Sequence, residues 1–184
     1  MEFAALFTQT LSIFTLLGNA CTVLVLLMFV IARPTYEKLM STLARQALLL
    51  GFFLATTSTV GSILYSEVVG FPACILCWIQ RLFMYPQAFL FGLALVRRDR
   101  GIFPYAMLLT LLGAAVALYQ WVKDMLALYS NVSIPCPAVS ALPSCDKIYV
   151  FEYGYITIPM IALNAFILIA IVMYAGMRQP HYAK

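Results

Sequence analysis

The stretch Gly70-Phe-Pro-Ala-Cys-Ile-Leu-Cys-Trp-Ile-Gln-Arg-Leu-Phe-Met-Tyr-Pro86 carries two cysteines, Cys74 and Cys77, at the start of an apolar segment. Pro72 is typical of a turn or of the first helical turn, so we expect a helix to begin near Cys74. Unpaired N–H groups and the positive end of the helix dipole favour a thiolate at that position. Arg81 follows Cys77 by four residues and therefore shares its helix face. The pattern predicts a redox-active cysteine pair beside a cation.

The composition around this stretch is that of a membrane protein. The 184 residues are 64% hydrophobic and 10% charged, whereas a soluble domain has about a quarter charged residues. We expect a single transmembrane domain without a separate soluble one. His181 is the only histidine, so metal or acid–base chemistry that depends on histidine has little support, and we predict no metal site.

Five apolar segments each approach the roughly 20 residues that a membrane-spanning helix needs. They cover residues 3–32, 47–65, 75–96, 102–122 and 155–177. The first is too long for the apolar part of a signal peptide and is preceded by Glu2 rather than by basic residues, so we expect it to be retained. The predicted fold class is an all-α polytopic membrane protein.

The basic residues predict the orientation, because cytoplasmic loops of membrane proteins are enriched in Lys and Arg. Three clusters fall in alternate connections and after the last segment. They are Arg33, Lys38 and Arg45; Arg97, Arg98 and Arg100; and Arg178 with Lys184. With five spans, this distribution places the N-terminus outside and the C-terminus in the cytoplasm. It also explains the net charge of +4 without a nucleic-acid partner.

This topology places four of the five cysteines on the outer side. Cys74 and Cys77 lie at the outer end of the third segment, and Cys136 and Cys145 lie in the long connection 123–154. The start of that connection mixes apolar and polar residues, so we expect it to continue as an interfacial helical turn. Cys21 falls in the middle of the first segment, where we expect a small buried hydrophobic side chain without a chemical role.

The outer cysteines have three possible interpretations. Two structural disulfides could staple the extracytoplasmic loops, which is the commoner use of cysteine outside the cytoplasm. A Cys-x-x-Cys pair at a helix start is instead typical of a reactive disulfide, and an exposed Cys136-x8-Cys145 loop is open to attack by another protein's thiolate. A zinc site is disfavoured by the spacing and by an oxidising compartment. We favour the redox interpretation.

Arg81 also has two interpretations. Its side chain could extend to the lipid headgroups, as basic side chains near helix ends often do. A charge at this depth of an apolar helix more often has a partner or a function. Its spacing from Cys77 favours stabilisation of a thiolate, and we expect a functional role.

The residues from Ser66 to Pro86, with Cys74-Ile-Leu-Cys77-Trp-Ile-Gln-Arg81 at their centre, resemble the signature of DsbB-type disulfide bond formation proteins. Gly154-Tyr-Ile-Thr-Ile-Pro159 resembles the start of the last helix of that family. The resemblance covers about residues 47–177. It implies a four-helix bundle in the bacterial inner membrane that reoxidises a soluble thioredoxin-fold oxidase (DsbA-like) and passes electrons to a quinone, ubiquinone or menaquinone.

The resemblance also implies roles for individual residues. Cys74 and Cys77 would be the pair next to the quinone, with Cys77 the thiolate that meets the quinone ring. Arg81 would help to hold the quinone. Cys136 and Cys145 would be the pair that faces the partner, with Cys136 attacked first.

Three departures from the family pattern stand out. The first segment is an additional N-terminal helix, the Cys136–Cys145 loop is short, and Ile79 stands where the family usually has an aromatic residue. Vitamin K epoxide reductase-like proteins share the bundle and a Cys-x-x-Cys, but in them the loop pair precedes that motif, whereas here it follows. The rival from another class is a non-catalytic assembly or transport subunit with disulfide-stapled loops.

Overall fold

A computed structural model describes residues 2–130, 132, 134 and 143–178. Cys136, His181 and Lys184 lie outside the described residues, so the expectations that concern them stay predictions. Within the described ranges the protein is helical and has no strand; its one pairing of extended backbone is an isolated bridge between Glu152 and Ile156.

Six α-helices follow one another along the chain. They are α1 (Glu2–Ile31), α2 (Arg33–Arg45), α3 (Ala47–Ile63, continued by a π-helical turn Leu64–Val68), α4 (Ile75–Arg97), α5 (Phe103–Ser130, preceded by a 3₁₀ turn Arg100–Ile102) and α6 (Ile158–Met177). All except α2 are long and apolar enough to cross a membrane. The predicted all-α polytopic membrane fold is confirmed.

The helix bounds differ from the sequence prediction in three places. The connection with the first basic cluster forms α2, which buries Tyr36, Met40 and Ala44 at helical spacing. Helix α5 continues to Ser130, so the loop does not begin at residue 123 and the expected helical continuation is confirmed at greater length. Helix α6 begins at Ile158 rather than at residue 155, because a turn precedes it in which Gly154 has a φ of +80°.

Helices α3 to α6 form the bundle, and both α1 and α2 pack on α6. The largest side chains of the bundle core are completely or almost completely buried; they are Phe91, Phe103, Phe166, Ile169 and Met173. Two glycines allow these side chains to approach. A Cβ atom on Gly176 would lie 2.6 Å from the Phe103 ring, and one on Gly51 would lie 2.8 Å from the Met173 methyl group. This part of the bundle is packed without room for an added methyl group.

The two ends of the bundle differ in chemistry. Helix α4 begins directly after Cys74 and ends at Arg97. We call the end of the bundle at Cys74 the cysteine end and the end at Arg97 the arginine end. Arg178, which follows α6, donates a 3.0 Å hydrogen bond to Glu37 of α2. The basic residues of α2 and the end of α6 therefore meet at one end, as the predicted topology requires.

Helix α1 presents an apolar surface outward and a small polar surface inward. Its exposed residues include Leu6, Leu17 and Val30, whereas its buried residues are Thr8, Ser12, Thr15 and Gly18. Cys21 is a free, exposed thiol. The expectation that Cys21 is buried is therefore wrong: the residue lies on the face of α1 that is not covered by the bundle.

Candidate redox site

The Cys-x-x-Cys pair lies where a short loop enters α4. Gly70 has a φ of +81°, a conformation that favours glycine, and the loop then reaches Cys74 with extended backbone. The Cys74 carbonyl accepts the backbone N–H of Trp78 and so begins the helix. Cys74 and Cys77 are free thiols whose Sγ atoms lie 3.4 Å apart. Cys74 is buried and Cys77 is partly exposed.

A glutamine side chain of α5, Gln120, contacts both sulfurs and is itself oriented by Gln80 of α4. The Nε2 atom of Gln120 lies 3.6 Å from the Sγ atom of Cys74 and 3.8 Å from that of Cys77. Gln80 donates a 2.7 Å hydrogen bond to the Oε1 atom of Gln120, which leaves the Gln120 amide nitrogen directed at the sulfurs. Both glutamines are buried. The sequence analysis did not identify Gln120, although a single amide in an apolar helix is the kind of residue that needs a buried partner.

These contacts favour a thiolate on Cys74. The hydrogen bond from the Cys77 thiol lowers the pKa of Cys74 to about 6; nearby backbone N–H groups and the Gln120 amide add to the effect, and burial opposes it. Cys74 is therefore mostly ionised at neutral pH. The family resemblance assigns the thiolate that meets the quinone to Cys77. In the free pair, however, the hydrogen bonds favour the negative charge on Cys74. The assignment to Cys77 therefore stays a prediction.

The third cysteine of the site comes from the connection after α5. Cys145 is disulfide-bonded and packs with Cys74 and Leu76 in one buried cluster, with Cys77 and Ile79 at its margin. Cys136 lies outside the described residues, so its pairing with Cys145 stays a prediction. Because a disulfide sulfur is not a thiolate ligand, the geometry gives no support to a zinc site of four thiolates.

Lys123 fixes the backbone of Cys145. Its Nζ atom donates to the Cys145 carbonyl at 3.1 Å and to the Asp146 carboxylate at 2.9 Å, and the lysine is buried. Ser144 donates a 2.6 Å hydrogen bond to the other oxygen of Asp146. Both hydrogen bonds lower the pKa of Asp146, and the one from the Ser144 hydroxyl has the larger effect. Helix α5 thus contacts both cysteine regions, through Gln120 and, one turn later, through Lys123.

Arg81 contacts α3 rather than Cys77. Its Nε atom donates to the Ser62 hydroxyl at 3.1 Å, its Nη2 atom donates to the Ser62 carbonyl at 3.0 Å, and the guanidinium lies 5.0 Å from the centre of the Trp78 ring. The predicted contact with a Cys77 thiolate is not among its hydrogen bonds to the described residues. Helical spacing correctly places Arg81 on the same face of α4 as Cys77. The packing of α3 on α4, which the spacing does not reveal, supplies the two oxygen atoms that accept hydrogen bonds from Arg81.

A cavity of about 460 Å³ connects these residues. Its lining includes Cys74, Cys77, Cys145, Arg81 and Gln120, and it extends between α1, α3, α4 and α6. Phe71 stacks between two tyrosines of the lining, at 5.9 Å from the Tyr65 ring and 5.0 Å from the Tyr149 ring. The cavity therefore combines a flat aromatic wall with a guanidinium group and a cysteine pair.

Three buried polar atoms of the lining have no hydrogen-bond partner among the described residues. They are the hydroxyl oxygens of Tyr65 and Thr157 and the Oδ1 atom of Asn164. Thr157 is 1% exposed and Asn164 is 5% exposed. An unpaired buried polar atom costs about 1–3 kcal/mol, so these groups favour a ligand that can hydrogen-bond with them.

Comparison with known proteins assigns the family. The sequence model described as "Disulfide bond formation protein DsbB" matches residues 44–177. The chain belongs to the DsbB family. This membership supports the role of a membrane disulfide oxidoreductase, and it agrees with a cysteine pair, a disulfide and a cavity at one end of a helical bundle.

Three relatives illustrate the similarity within the DsbB family. "Probable disulfide formation protein C 1" of Bacillus anthracis is 38% identical over 114 residues, which cover 62% of this chain and 79% of the relative. "Disulfide bond formation protein C" of Bacillus subtilis is 35% identical over 120 residues, 65% and 84% of the two chains. "Probable disulfide formation protein" of Coxiella burnetii (strain CbuK_Q154) is 34% identical over 123 residues, 67% and 82%. No solved structure gives a significant match.

The DsbB-family match begins at residue 44 and so covers α3 to α6 but not α1. Of the predicted site residues, the structure brings Cys74, Cys77, Cys145 and Arg81 to one cavity. Three residues of the site were not predicted from the sequence, because their partners lie on other elements of the fold: Gln120, Lys123 and Ser62.

Proposed function

We propose that this DsbB-family protein reoxidises a soluble, DsbA-like thioredoxin-fold oxidase and passes the electrons to a membrane quinone. The observation that carries the proposal is the packing of Cys74 against the disulfide-bonded Cys145 at the cavity that also contains Cys77. Thiol–disulfide exchange requires a thiolate, an accessible disulfide sulfur and a good leaving thiol.

The first exchange oxidises the partner. A partner thiolate attacks the Cys136–Cys145 disulfide, with Cys136 attacked first, and forms a mixed disulfide while the Cys145 thiolate leaves. The partner's second thiolate then attacks the mixed disulfide, so that the partner leaves with a disulfide and both loop cysteines become thiols. The two electrons of the partner now reside on Cys136 and Cys145.

The second exchange moves these electrons into the membrane. A Cys145 thiolate attacks the Cys74 sulfur of the oxidised Cys74–Cys77 pair, and the Cys77 thiolate leaves. Cys136 then attacks the Cys145 sulfur of the mixed disulfide, and the Cys74 thiolate leaves. The loop disulfide forms again and Cys74 and Cys77 become thiols. The close packing of Cys145 and Cys74 shortens the path of this step, and the Gln120 amide, 3.6 Å from the Cys74 sulfur, stabilises the thiolate that leaves.

The lining of the cavity fits a quinone. The apolar walls and the stacked rings of Tyr65 and Phe71 suit a flat ring, whereas Arg81 and the Thr157 hydroxyl can donate to ring oxygens. The unpaired Oδ1 atom of Asn164 can accept a hydroxyl of the reduced form. When bound, a quinone supplies an acceptor for two electrons and two protons. The residues of the chain position it and stabilise charge in an apolar site.

The proposal includes a location and an orientation. The protein would lie in a bacterial cytoplasmic membrane, with its N-terminus and all four outer cysteines on the extracytoplasmic side, because the basic clusters lie at the other end of the bundle. A membrane-impermeant maleimide should label the reduced loop cysteines in intact spheroplasts. Labelling only after the membrane is broken would contradict both the orientation and the mechanism.

The decisive experiment is oxidation of a reduced DsbA-like protein by the purified protein with ubiquinone-1 or a menaquinone analogue. We expect quinone-dependent loss of the partner's thiols. Cys145→Ser should abolish this loss, because Cys136 then has no disulfide for the partner to attack. A partner variant that lacks its second reactive cysteine should be trapped in a mixed disulfide with Cys136 of the wild type. Cys21→Ser is the matched control and should behave as the wild type. If the wild type oxidises nothing and the loop variants change only stability, the cysteines are structural staples and the proposal is wrong.

A further inference from the structure

Helix α1 lies outside the DsbB-family match, yet it forms part of the cavity. Leu11, Phe14 and Thr15 of α1 are lining residues of the same cavity as Cys77 and Arg81, with Phe14 at the margin of the cavity because it is 64% exposed. The Phe7 ring, one turn before Leu11, packs edge-on at 5.1 Å from the Tyr65 ring, which belongs to the aromatic wall. The additional helix therefore contacts the site directly.

The placement of α1 depends on one close contact with α6. A Cβ atom on Gly18 would lie 2.3 Å from the Nδ2 atom of Asn164, so only glycine allows the two helices to approach at this point. One residue later, Asn19 donates a 3.2 Å hydrogen bond to the Tyr155 hydroxyl. Asn164 is also the lining residue whose Oδ1 atom has no partner among the described residues. The same side chain thus contacts α1 and the cavity.

The buried residues of α1 are small, and helix packing in the membrane is enough to explain small residues at a helix interface. These residues therefore do not define a site. The inference depends on the three cavity-lining side chains and on Asn164. A helix that served only as an anchor would not need to line the cavity of the cysteine pair.

We propose that α1 is a wall of the quinone site and sets its affinity for the quinone ring through Leu11, Phe14 and Thr15; this inference rests on the proposed function. The outer face of α1 is apolar and exposed, as Leu17 shows with 57% exposure, so α1 separates the cavity from the surrounding lipid. A wall at this position excludes lipid chains from the ring site and adds apolar contact with the ring.

The test compares two substitutions on opposite faces of α1. Gly18→Leu places a large side chain against Asn164 and displaces α1 from α6, whereas Ala20→Leu adds the same side chain on the exposed face. Binding of ubiquinone-1 is measured by quenching of the fluorescence of Trp78 and Trp121, without turnover. We expect Gly18→Leu to raise the Kd about tenfold and Ala20→Leu to leave it unchanged.

Phe14→Ala provides a second test that does not depend on helix displacement. It removes a ring from the wall without a clash, and we expect it to raise the Kd about threefold with circular dichroism unchanged. The inference is overturned if folded Gly18→Leu and Phe14→Ala both bind ubiquinone-1 as the wild type does. If the wild type itself does not bind ubiquinone-1, the quinone part of the proposed function fails and the inference fails with it. If the wild type binds ubiquinone-1 and both variants bind it equally well, only the role of α1 is contradicted and the proposed function is not.

Discussion

The cysteine end and the arginine end of the bundle are built from the same four helices but follow different packing rules. At the arginine end, Phe103 and Met173 are fully buried, and each packs closely against a glycine of a neighbouring helix, Gly176 and Gly51 respectively. At the cysteine end, the helices surround a cavity of about 460 Å³ lined by cysteines, amides and a guanidinium. Close packing stabilises the first region, whereas hydrogen bonds between helices define the second.

The buried glutamines illustrate this difference. Gln87, in the middle of α4, is fully buried and has its polar atoms bonded within the core, to Phe83 and to Thr110. Gln80, two turns earlier, bonds to Gln120, which lies against two cysteine sulfurs. The same type of side chain, glutamine, therefore completes the core in one region and supports the reactive cysteines in the other. Substitutions should separate stability from activity accordingly.

The largest expected effect is the loss of activity on removal of a reactive sulfur. Cys74→Ser or Cys77→Ser should lower quinone-dependent oxidation of the partner by at least about 10³-fold, the scale of losing a nucleophile. The bundle should stay folded, because serine is nearly isosteric with cysteine. Turnover is measured as thiol loss of the reduced partner. Activity above a tenth of the wild-type value in either variant would show that the cysteine end is not the reactive region.

The next effect concerns stability. Phe103→Ala should destabilise the bundle by about 3–5 kcal/mol, because it leaves a void among fully buried side chains. Ile161→Ala, at the cavity, should cost less than half as much, because its side chain already has the cavity on one side. Unfolding in detergent, followed by circular dichroism, measures both variants. Equal losses would mean that the two ends are packed alike.

The third effect separates the two amide pairs. Gln120→Ala removes a donor to the sulfurs, so the pKa of Cys74 should rise above its wild-type value of about 6. Gln87→Ala should lower stability and leave that pKa unchanged. Thiolate absorbance followed against pH gives the pKa. Both variants keep Cys77, so its hydrogen bond to Cys74 is the same in each. A shift of equal size in the Gln87 variant would indicate a general loss of structure instead of a local donor.

The fourth effect concerns Arg81. Arg81→Ala should raise the apparent KM for quinone about tenfold, equivalent to about 1.4 kcal/mol of binding, while exchange between the loop disulfide and the cysteine pair proceeds as before. Arg81→Lys should recover part of the loss, because it keeps the charge without the planar guanidinium. Quinone titration of partner oxidation measures this effect. An unchanged KM in Arg81→Ala would leave Arg81 only the role of joining α4 to α3.

The smallest effect compares the two ion pairs. Lys123–Asp146 lies at the cysteine end and Arg178–Glu37 at the other, and the acidic partner is exposed in both. Asp146→Asn and Glu37→Gln should each cost at most about 1 kcal/mol. Because the pKa of Asp146 is lowered, its contribution is present above the unfolded value of about 3.9 and is lost as the pH falls through the lowered value. Thermal unfolding from pH 3 to 7 should show wild type and Asp146→Asn converging at low pH; a constant difference would contradict the assignment.

The spanning helices and the cysteine pair could be predicted because both signals are local in sequence. Long apolar segments define spans, and the spacing of Cys74 and Cys77 defines one helix turn. Helix α2 was not predicted because it is short and polar. Its residues Tyr36 and Met40 become buried only because the helix packs on α6. The burial of Cys21 was predicted wrongly because α1 is apolar on most of its surface, so its sequence does not reveal which face the bundle covers.

The partners of Arg81 and of the cysteines depend on contacts between helices. The sequence gives the rotation of a residue within its own helix but not the rotation of two helices against each other. Ser62 and Arg81 lie on α3 and α4, and Gln120 meets the cysteines only because α5 packs beside α4.

The length of α5 has a consequence for how a soluble protein can reach the disulfide. The backbone of Cys145 is bonded to Lys123, and α5 continues from there to Ser130, about 10 Å further at 1.5 Å per residue. The Tyr129 hydroxyl, near that end, donates a 2.7 Å hydrogen bond to the Gly154 carbonyl, which ties the projecting turns to the segment before α6. The backbone of Cys145 therefore lies beside the last two turns of α5, which are held in place at their end. A partner that docks as in the proposed function has to fit its reactive cysteine beside these turns.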